Sequence, residues 1–412
     1  MSEWKKVKLG DIASAIQTGP FGSQLHQSDY SDIGVPVVMP KDIINGRIDE
    51  STIARVESHH VERLSRHKIS EGDILYARRG DVGKCAYTVF AQQGWLCGTG
   101  CLRVTIDKEK AFPKFIFFQL QKRETIGWVE KHAIGATMLN LNTSILGDVP
   151  IELPPLYIQH HIATILSRYD SLIENYQKQI KLLEEAAQRL YKEWFVDLHF
   201  PGHENTKIID GVPEGWEKKT IDDVTCKVTT GLNPRKNFVL GKGSNYYVTI
   251  KNMADNTLLL DDRCDRVDNE ALEKINKRSD LKIGDILFSG IGTIGRVALV
   301  DIPTNNWNVS ESVFTLRVND IVTKEFLYLM LLSPDMQNYC QSNAHGAAQK
   351  GIRMADLKAY SFNLPPFGVI QKFTNLAIPT IKKVSSIRNQ IRLLTEARDR
   401  LLPKLMNGEI IT

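Results

Sequence analysis

The chain has 412 residues, of which 42% are hydrophobic and 24% charged, a balance typical of globular proteins rather than disordered ones. This length is sufficient for two or three domains that each bury a core. The formal net charge of +4 is too small to indicate a nucleic-acid partner on its own. No stretch approaches the roughly 18 apolar residues of a membrane span, and MSEWKKVKLGDI lacks the apolar core of a signal peptide, so we expect a cytoplasmic protein without a membrane partner.

The chain alternates between two kinds of segment. Residues 1–153 carry short β-rich runs such as VPVVM and CLRVTI, separated by Gly, Asp and Asn turns, with a helix-like stretch at FPKFIFFQLQKRE. After an LPP motif these turn residues become rare, and residues 158–195 contain neither Pro nor Gly. We therefore predict a globular α/β or α+β domain over 1–153 and a long helix within 154–200. A second globular domain over 201–364 and a second helical segment over 365–412 follow.

The two halves of the chain repeat one another. GDILYARRGDVGK at 72–84 and GDILFSGIGTIGR at 284–296 lie 212 positions apart and share six identical residues. An offset of 211 aligns the two LPP motifs, the pairs Gly135-Ala136 and Gly346-Ala347, and QIKLLEEAAQRL with QIRLLTEARDRL. The whole chain is therefore two tandem copies of one unit, each made of a globular domain and a long helix.

Both helical segments show the a/d spacing of a heptad repeat. Residues 158–195 hold five basic and five acidic side chains, whereas residues 370–406 hold eight basic and two acidic ones. A helix that contains acids suits a basic partner better than a copy of itself, so we predict an antiparallel coiled coil with pseudo-two-fold symmetry. The alternative is that each helix packs only on its own domain. The predicted seam consists of Leu166, Tyr169, Ile173, Tyr176, Ile180, Leu183, Leu190, Val384, Ile387, Ile391, Leu394 and Leu401.

Several motifs resemble chemical sites but have the wrong context. GIGTIG at 290–295 matches the dinucleotide pattern GxGxxG, yet the following RVALV is β-like and the other copy reads RRGDVG, so we expect a hairpin turn. The double prolines follow leucine, not the polar residue of the amino-methyltransferase motif. Cys97 and Cys101 lack a second cysteine pair, and the His-His pairs lack metal-ligand spacing. We predict no catalytic centre, metal site or cofactor site in this chain.

The order of motifs resembles that of the specificity subunits of type I restriction-modification systems. The motifs are TGPFGS at 18–23, GVP at 34–36, the GDIL repeat, and the junction of LPP with a long helix. The resemblance covers essentially the whole chain. It implies two target recognition domains and two conserved spacer helices in a non-enzymatic subunit that reads a bipartite site in double-stranded DNA.

The resemblance also implies partner subunits. Two methyltransferase subunits would carry S-adenosylmethionine and methylate adenine N6 on opposite strands. Restriction subunits, which are ATP- and Mg-dependent translocase-nucleases, would join for cleavage.

The two copies differ most where DNA would be read. In the alignment of the two copies, TGPFGSQLHQ corresponds to TGLNPRKNFV, and GATMLNLN corresponds to GAAQKGIR. These differences predict two different half-sites and therefore an asymmetric target. Arg can bond guanine, Asn can pair with adenine, and Lys mostly holds phosphate, although a solvated surface position is the alternative for each residue. The candidate DNA contacts are Lys41, Arg78, Arg79, Lys84, Arg235, Lys236, Lys251, Asn252, Lys350 and Arg353.

Two other functions stay open at this point. The chain could be a scaffold that binds only proteins, in which case it would not bind duplex DNA. It could also be a stand-alone methyltransferase with a cofactor site at GIGTIG, in which case the isolated chain would transfer a methyl group from S-adenosylmethionine.

Overall fold

A computed structural model describes residues 4–135, 139–254, 256–346 and 350–410. The chain forms two compact units, and the boundary between them falls within both long helices. Unit 1 comprises residues 1–174 and 392–412, and unit 2 comprises residues 175–391. Ala136, Ala347 and the centres of the GATMLNLN and GAAQKGIR loops lie outside the described residues.

Unit 1 is built on a four-stranded antiparallel sheet whose strand order is 13–18, 101–106, 74–77 and 85–87. One face of this sheet packs against the apolar helix Pro113–Leu120, which is buried along nearly its whole length. A second sheet follows the order 96–97, 35–38, 54–56 and 30–31. A mixed helix and strand domain is therefore confirmed.

The bounds of the elements in unit 1 follow the chain. The helices before the first long helix are Leu9–Ile12, Ser58–Arg63, Pro113–Leu120, Arg123–His132 and Thr143–Gly147. The strands are Lys5–Lys8, Ala13–Thr18, Tyr30–Ser31, Val35–Val38, Ile43–Ile44, Arg47–Ile48, Ala54–Val56, Ile74–Ala77, Cys85–Tyr87, Leu96–Cys97, Cys101–Ile106 and Pro150–Leu153.

Unit 2 repeats this architecture. Its four-stranded sheet has the order 225–230, 313–318, 286–289 and 297–299, which is the order of unit 1 shifted by 212 residues. The helices before the second long helix are Pro234–Asn237, Asn269–Ser279, Lys324–Leu331, Pro334–Ser342 and Met354–Lys358. The strands are Ile208–Ile209, Val212–Pro213, Glu217–Thr220, Thr225–Thr230, Asn245–Val248, Met253–Ala254, Thr257–Leu258, Asp265–Val267, Ile286–Ser289, Val297–Leu299, Trp307–Val309, Val313–Val318 and Ser361–Leu364.

The structure explains why the GDIL motif occurs twice. Its glycine has a positive φ, +90° at Gly72 and +94° at Gly284, a conformation that other residues adopt only with strain. Its aspartate is buried and accepts a backbone N–H at 2.8 Å in both copies. The Asp285 carboxylate also binds Arg317 at 2.7 and 2.8 Å. A buried carboxylate with these partners is satisfied, so the motif stabilises the strand entry in each domain.

Each long helix contains 40 residues, Leu156–Phe195 and Phe367–Met406. Within unit 1, the start of the first helix and the end of the second share a core that includes Leu166 and Leu405. Within unit 2, Tyr191 contacts Phe373 while the earlier residue Glu184 pairs with the later residue Arg388. The helix segments are therefore antiparallel within each unit.

All twelve predicted seam residues lie in these helices, and none of them is exposed. Leu166, Ile173, Val384 and Ile387 are buried, and the other eight are partly buried. The intervening Leu182 and Leu393, which occupy equivalent positions of the repeat, are exposed instead. This alternation is what a heptad seam requires.

Candidate nucleic-acid interface

Four loops meet at one end of the four-stranded sheet in unit 1, and we call them loop cluster 1 (residues 18–23, 78–84, 98–100 and 139–142). The Arg78 N–H donates to the Gly100 carbonyl at 2.8 Å, and the Leu141 N–H donates to the Arg78 carbonyl at 2.8 Å. The Gly19 N–H donates to the Cys101 carbonyl at 3.0 Å. Backbone bonds thus fix the loops in place and leave their side chains free to vary.

The equivalent loops of unit 2 form loop cluster 2 (residues 230–236, 289–296, 310–312 and 350–353). The Gly290 N–H donates to the Ser312 carbonyl at 2.9 Å, and the Ile352 N–H donates to the Gly290 carbonyl at 2.8 Å. Gly290 is equivalent to Arg78, and its two backbone hydrogen bonds correspond to the two that Arg78 makes in unit 1. The two copies therefore present the same loop frame.

A glycine at the start of each cluster allows this close approach. A Cβ at Gly19 would lie 1.9 Å from the Gly98 carbonyl oxygen, and a Cβ at Gly231 would lie 1.6 Å from the Val309 carbonyl oxygen. No other residue fits at either position, so the glycines of TGP and TGL are requirements of the fold.

Loop cluster 1 brings together Arg78, Arg79 and Lys84. Arg78 is partly buried, and its guanidinium carbon lies 5.9 Å from the centre of the Phe21 ring, within the range of a cation–π contact. Its Nε is buried without a hydrogen-bond partner. Arg79 is exposed opposite Asn140, whereas Lys84 is paired with Asp81 at 2.9 Å.

Loop cluster 2 brings together Arg235, Lys236, Lys350 and Arg353. Arg235 and Lys236 are exposed on the short helix Pro234–Asn237, and Lys350 is exposed as well. The Arg353 side chain is 68% exposed and lies 3.8 Å from the Asp356 carboxylate, a long and weak pairing. Among the residues that the structure describes, Arg235, Lys236 and Lys350 have no ion-pair partner.

Beneath these cations, a polar network fixes the start of loop cluster 2. The Asn233 side-chain amide donates to Glu311 Oε1 at 2.8 Å. The Tyr247 hydroxyl oxygen lies 2.7 Å from the Leu232 carbonyl oxygen and 3.1 Å from Glu311 Oε2, so these two acceptors share its single proton. Burial, together with the neighbouring Glu311 carboxylate, raises the pKa of Tyr247 well above its ordinary value. Tyr247 therefore stays a neutral hydrogen-bond donor between the Leu232 carbonyl and the Glu311 carboxylate.

The remaining candidates lie on short turns beside the clusters. Lys41 is bound within its own domain, because its ammonium donates to the Thr52 carbonyl at 2.7 Å and pairs with Asp42 at 3.0 Å. Lys251 is exposed on the equivalent turn. The adjacent Asn252 is only 3% exposed, and its side-chain oxygen accepts the Thr249 N–H at 2.9 Å.

The Asn252 side chain caps its turn, as Asp42 does in unit 1 by accepting the Met39 N–H at 2.8 Å. Because the same cap occurs in both copies, this geometry favours a structural role for Asn252 over contact with a base. The sequence could not predict this role, since the position of Asn252 beside Lys251 does not show whether its side chain points toward solvent or toward its own turn.

Three residues at the loops were missed in the sequence. Phe21 is 53% exposed beside Arg78, and Asn140 has a buried side-chain oxygen without a partner. Arg296, which aligns with Lys84, donates to the Ile250 carbonyl at 2.9 Å and so connects loop cluster 2 to the turn of Lys251. The aromatic residue inside TGPFGS was the available signal for Phe21.

GIGTIG forms a loop between the antiparallel strands Ile286–Ser289 and Val297–Leu299, so no helix follows it to receive a phosphate. A Cβ at Gly290 would lie 2.4 to 2.8 Å from atoms of the Phe314 ring, so close packing against this ring explains the glycine. Burial raises the pKa of the Cys97 thiol to about 12, which makes it a poor thiolate ligand. Within the described residues, no cluster of His, Cys, Asp or Glu could hold a metal, and no helix is long and apolar enough to span a membrane.

The structure therefore defines an internally duplicated protein whose two globular domains carry matched loop clusters with different side chains. Comparison with known proteins identifies its family. The protein-family model described as "Type I restriction modification DNA specificity domain" matches residues 1–185 and 213–374, and the chain belongs to this family. The match agrees with the resemblance noted in the sequence and with the prediction of a specificity subunit rather than an enzyme.

Similar proteins match nearly the whole chain. The type I restriction enzyme MjaIX specificity subunit of Methanocaldococcus jannaschii is 26% identical, over 99% of this chain and 94% of its own length. The HindI specificity subunit of Haemophilus influenzae is 22% identical over 100% of both chains. The crystal structure of the S subunit of a type I restriction-modification system from M. genitalium has the same fold, with a TM-score of 0.60 and 17% identity over 98% of this chain and 96% of that one.

Proposed function

We propose that this chain reads an asymmetric, two-part DNA sequence, one half with each globular domain. It does so as the recognition subunit of a type I restriction-modification complex. The observation that carries the proposal is the pair of loop clusters, which have one backbone frame and different side chains.

Three equivalent positions of the clusters show how strongly the two surfaces differ. Unit 1 has Phe21, Arg78 and Asn140, whereas unit 2 has Asn233, Gly290 and Gly351. Gly290 cannot be replaced by a larger residue without displacing Phe314, so unit 2 cannot place an arginine there. Different side chains on one frame favour two different half-sites.

The chemistry of the clusters fits the two kinds of contact that a duplex needs. Exposed Lys236 and Lys350 suit phosphate oxygens, which position a protein without reading sequence. Arg78 and Arg235 have planar guanidinium groups that can bridge O6 and N7 of guanine. Lys41 and Lys84 are already paired within their own domain, and we expect weaker contributions from them.

The long helices act as the spacer between the half-sites in this proposal. They hold two methyltransferase subunits, which supply S-adenosylmethionine and methylate adenine N6, and restriction subunits that use ATP and magnesium join the complex for cleavage. The exposed Leu182 and Leu393, at equivalent positions of the two helices, are consistent with a partner that binds twice.

The experiment is to co-express the chain with the methyltransferase subunit of its own system and to map N6-methyladenine in the host DNA by single-molecule sequencing. We expect methylation within one split motif that has a fixed gap and two unlike halves. A control co-expresses the methyltransferase alone and should show no motif. A stable complex without methylation would contradict the proposal and favour a protein scaffold.

A further inference from the structure

In each unit a small β-hairpin lies against the paired long helices. In unit 1 its strands are Ile43–Ile44 and Arg47–Ile48, and in unit 2 they are Met253–Ala254 and Thr257–Leu258. Each hairpin begins directly after the turn that carries Lys41 or Lys251. The hairpins therefore connect candidate DNA-contacting turns to the helices.

The junction in unit 1 joins three elements through polar contacts. Arg47 on the hairpin donates to the Asp170 carbonyl at 2.8 Å and pairs with Glu174 at 2.9 Å, both on the first long helix. The Asp170 carboxylate in turn accepts Arg398 of the second long helix at 2.9 Å. The hairpin and both helices thus share one network.

The junction in unit 2 joins the same three elements. Arg388 of the second long helix donates to the Asn256 carbonyl in the hairpin at 3.0 Å and pairs with Glu184 of the first long helix. The Arg388 side chain is only 16% exposed, which shields the contacts from water and salt.

The two junctions are built from residues at different positions of the repeat. The strand pairing of the two hairpins aligns Arg47 with Thr257. On the helices, the 211-residue offset aligns Arg388 with Gln177. The arginine thus comes from the hairpin in one copy and from the helix in the other. The contact between the hairpin and the long helices is thus present in both copies although different residues make it, which indicates that the contact itself has a role.

We propose that Arg47 and Arg388 are positioning residues that fix each recognition domain on the helices and thereby set the length of the unread gap. This inference rests on the proposed two-part DNA reading. In unit 2 the path is continuous: Arg296 connects loop cluster 2 to the Lys251 turn, the turn continues into the hairpin, and Arg388 holds the hairpin to the helices. A domain released from this hold can tilt and accept a half-site one base pair nearer or farther.

The test uses the full chain with its methyltransferase partner and compares wild type with Arg47→Ala and Arg388→Ala. The readout is the methylated fraction at motifs whose gap is correct, one base pair shorter or one base pair longer. We expect both variants to keep their half-sites while the preference for the correct gap falls about tenfold, which corresponds to about 1.4 kcal/mol. Arg47→Lys, which keeps the charge facing Glu174, should restore part of the preference.

Arg55→Ala is the matched control, because Arg55 donates to the Gly34 carbonyl within the first globular domain. It should leave the gap preference unchanged. Lower methylation with an unchanged gap preference in both variants would show a merely structural role and overturn the inference, as would an equal effect of Arg55→Ala. Wild type with no split motif would instead refute the proposed function, and this inference with it.

Discussion

Arg78→Ala gives the sharpest test of the loop clusters. The backbone N–H and carbonyl of Arg78 hold the loop in place, and alanine keeps both of these bonds. The substitution therefore removes the guanidinium, and with it the contact with Phe21, while the loop frame remains. A cation–π contact at an exposed ring stabilises the protein by only about 0.5 to 1 kcal/mol, so we expect the variant to stay folded.

The expected loss is in base discrimination. A bidentate arginine–guanine contact discriminates against other bases by about 1 to 3 kcal/mol, or about 5- to 150-fold. The assay measures binding of the subunit, in complex with its methyltransferase partner, to duplexes that each carry one substituted base pair. Arg78→Ala should abolish the preference at a single position of one half-site and leave the other half-site intact.

Arg353→Ala is the matched variant in loop cluster 2 and should weaken or relax only the other half-site. If Arg78→Ala weakened all duplexes uniformly and reduced the salt dependence by about one phosphate contact, Arg78 would hold the backbone and read no base. Equal loss at both half-sites for either variant would refute the assignment of one domain to each half.

Two further predictions concern the helices and the stability of unit 1. Insertion of one heptad after Leu183 and another after Leu394 lengthens each helix by about 10 Å. The gap of the methylated motif should then be about three base pairs longer, with both half-sites unchanged. A gap of unchanged length in the mapped methylation sites would exclude the helices as the spacer. Burial lowers the pKa of Lys114 from 10.5 to about 8 beside the rings of Tyr87 and Phe117. Because the unfolded chain keeps this proton up to about pH 10.5, the free energy of unfolding should rise with pH between about 8 and 10.5. Denaturant unfolding at pH 7.5 and at pH 9.5 measures this rise, which should be about 2 kcal/mol larger for wild type than for Lys114→Met. An equal rise in the two proteins would contradict the lowered pKa.

The repeat and the periodicity of the helices predicted most of the architecture. The central strands of the two sheets are separated by the 212 residues that the GDIL motif indicated, because a motif that fixes a turn and a strand entry also fixes its sheet position. The long helices begin at Leu156 and Phe367, directly after the double prolines. Pro379 lies within the second helix, which continues past it, so proline alone did not define that boundary.

The side-chain partners at the loops could not be predicted in the same way. Lys41 bonds to Thr52 and Asn252 caps its own turn, and neither contact leaves a periodic pattern in the sequence. Arg388 meets Asn256 across more than a hundred residues, a contact that depends on the assembled unit. Composition and spacing show which residues carry charge, but the tertiary fold decides which charges are already in use.

In each globular domain, a strand near the start pairs with the last strand, and this pairing has a consequence for how such chains can change. In the second domain, Glu217–Thr220 runs antiparallel to Ser361–Leu364, so the chain enters and leaves the domain at adjacent points. A segment bounded in this way can be exchanged for another of the same design without moving the helices on either side. Recombination just before Glu217 and just after Leu364 would therefore replace loop cluster 2 in a single event and leave both long helices unchanged.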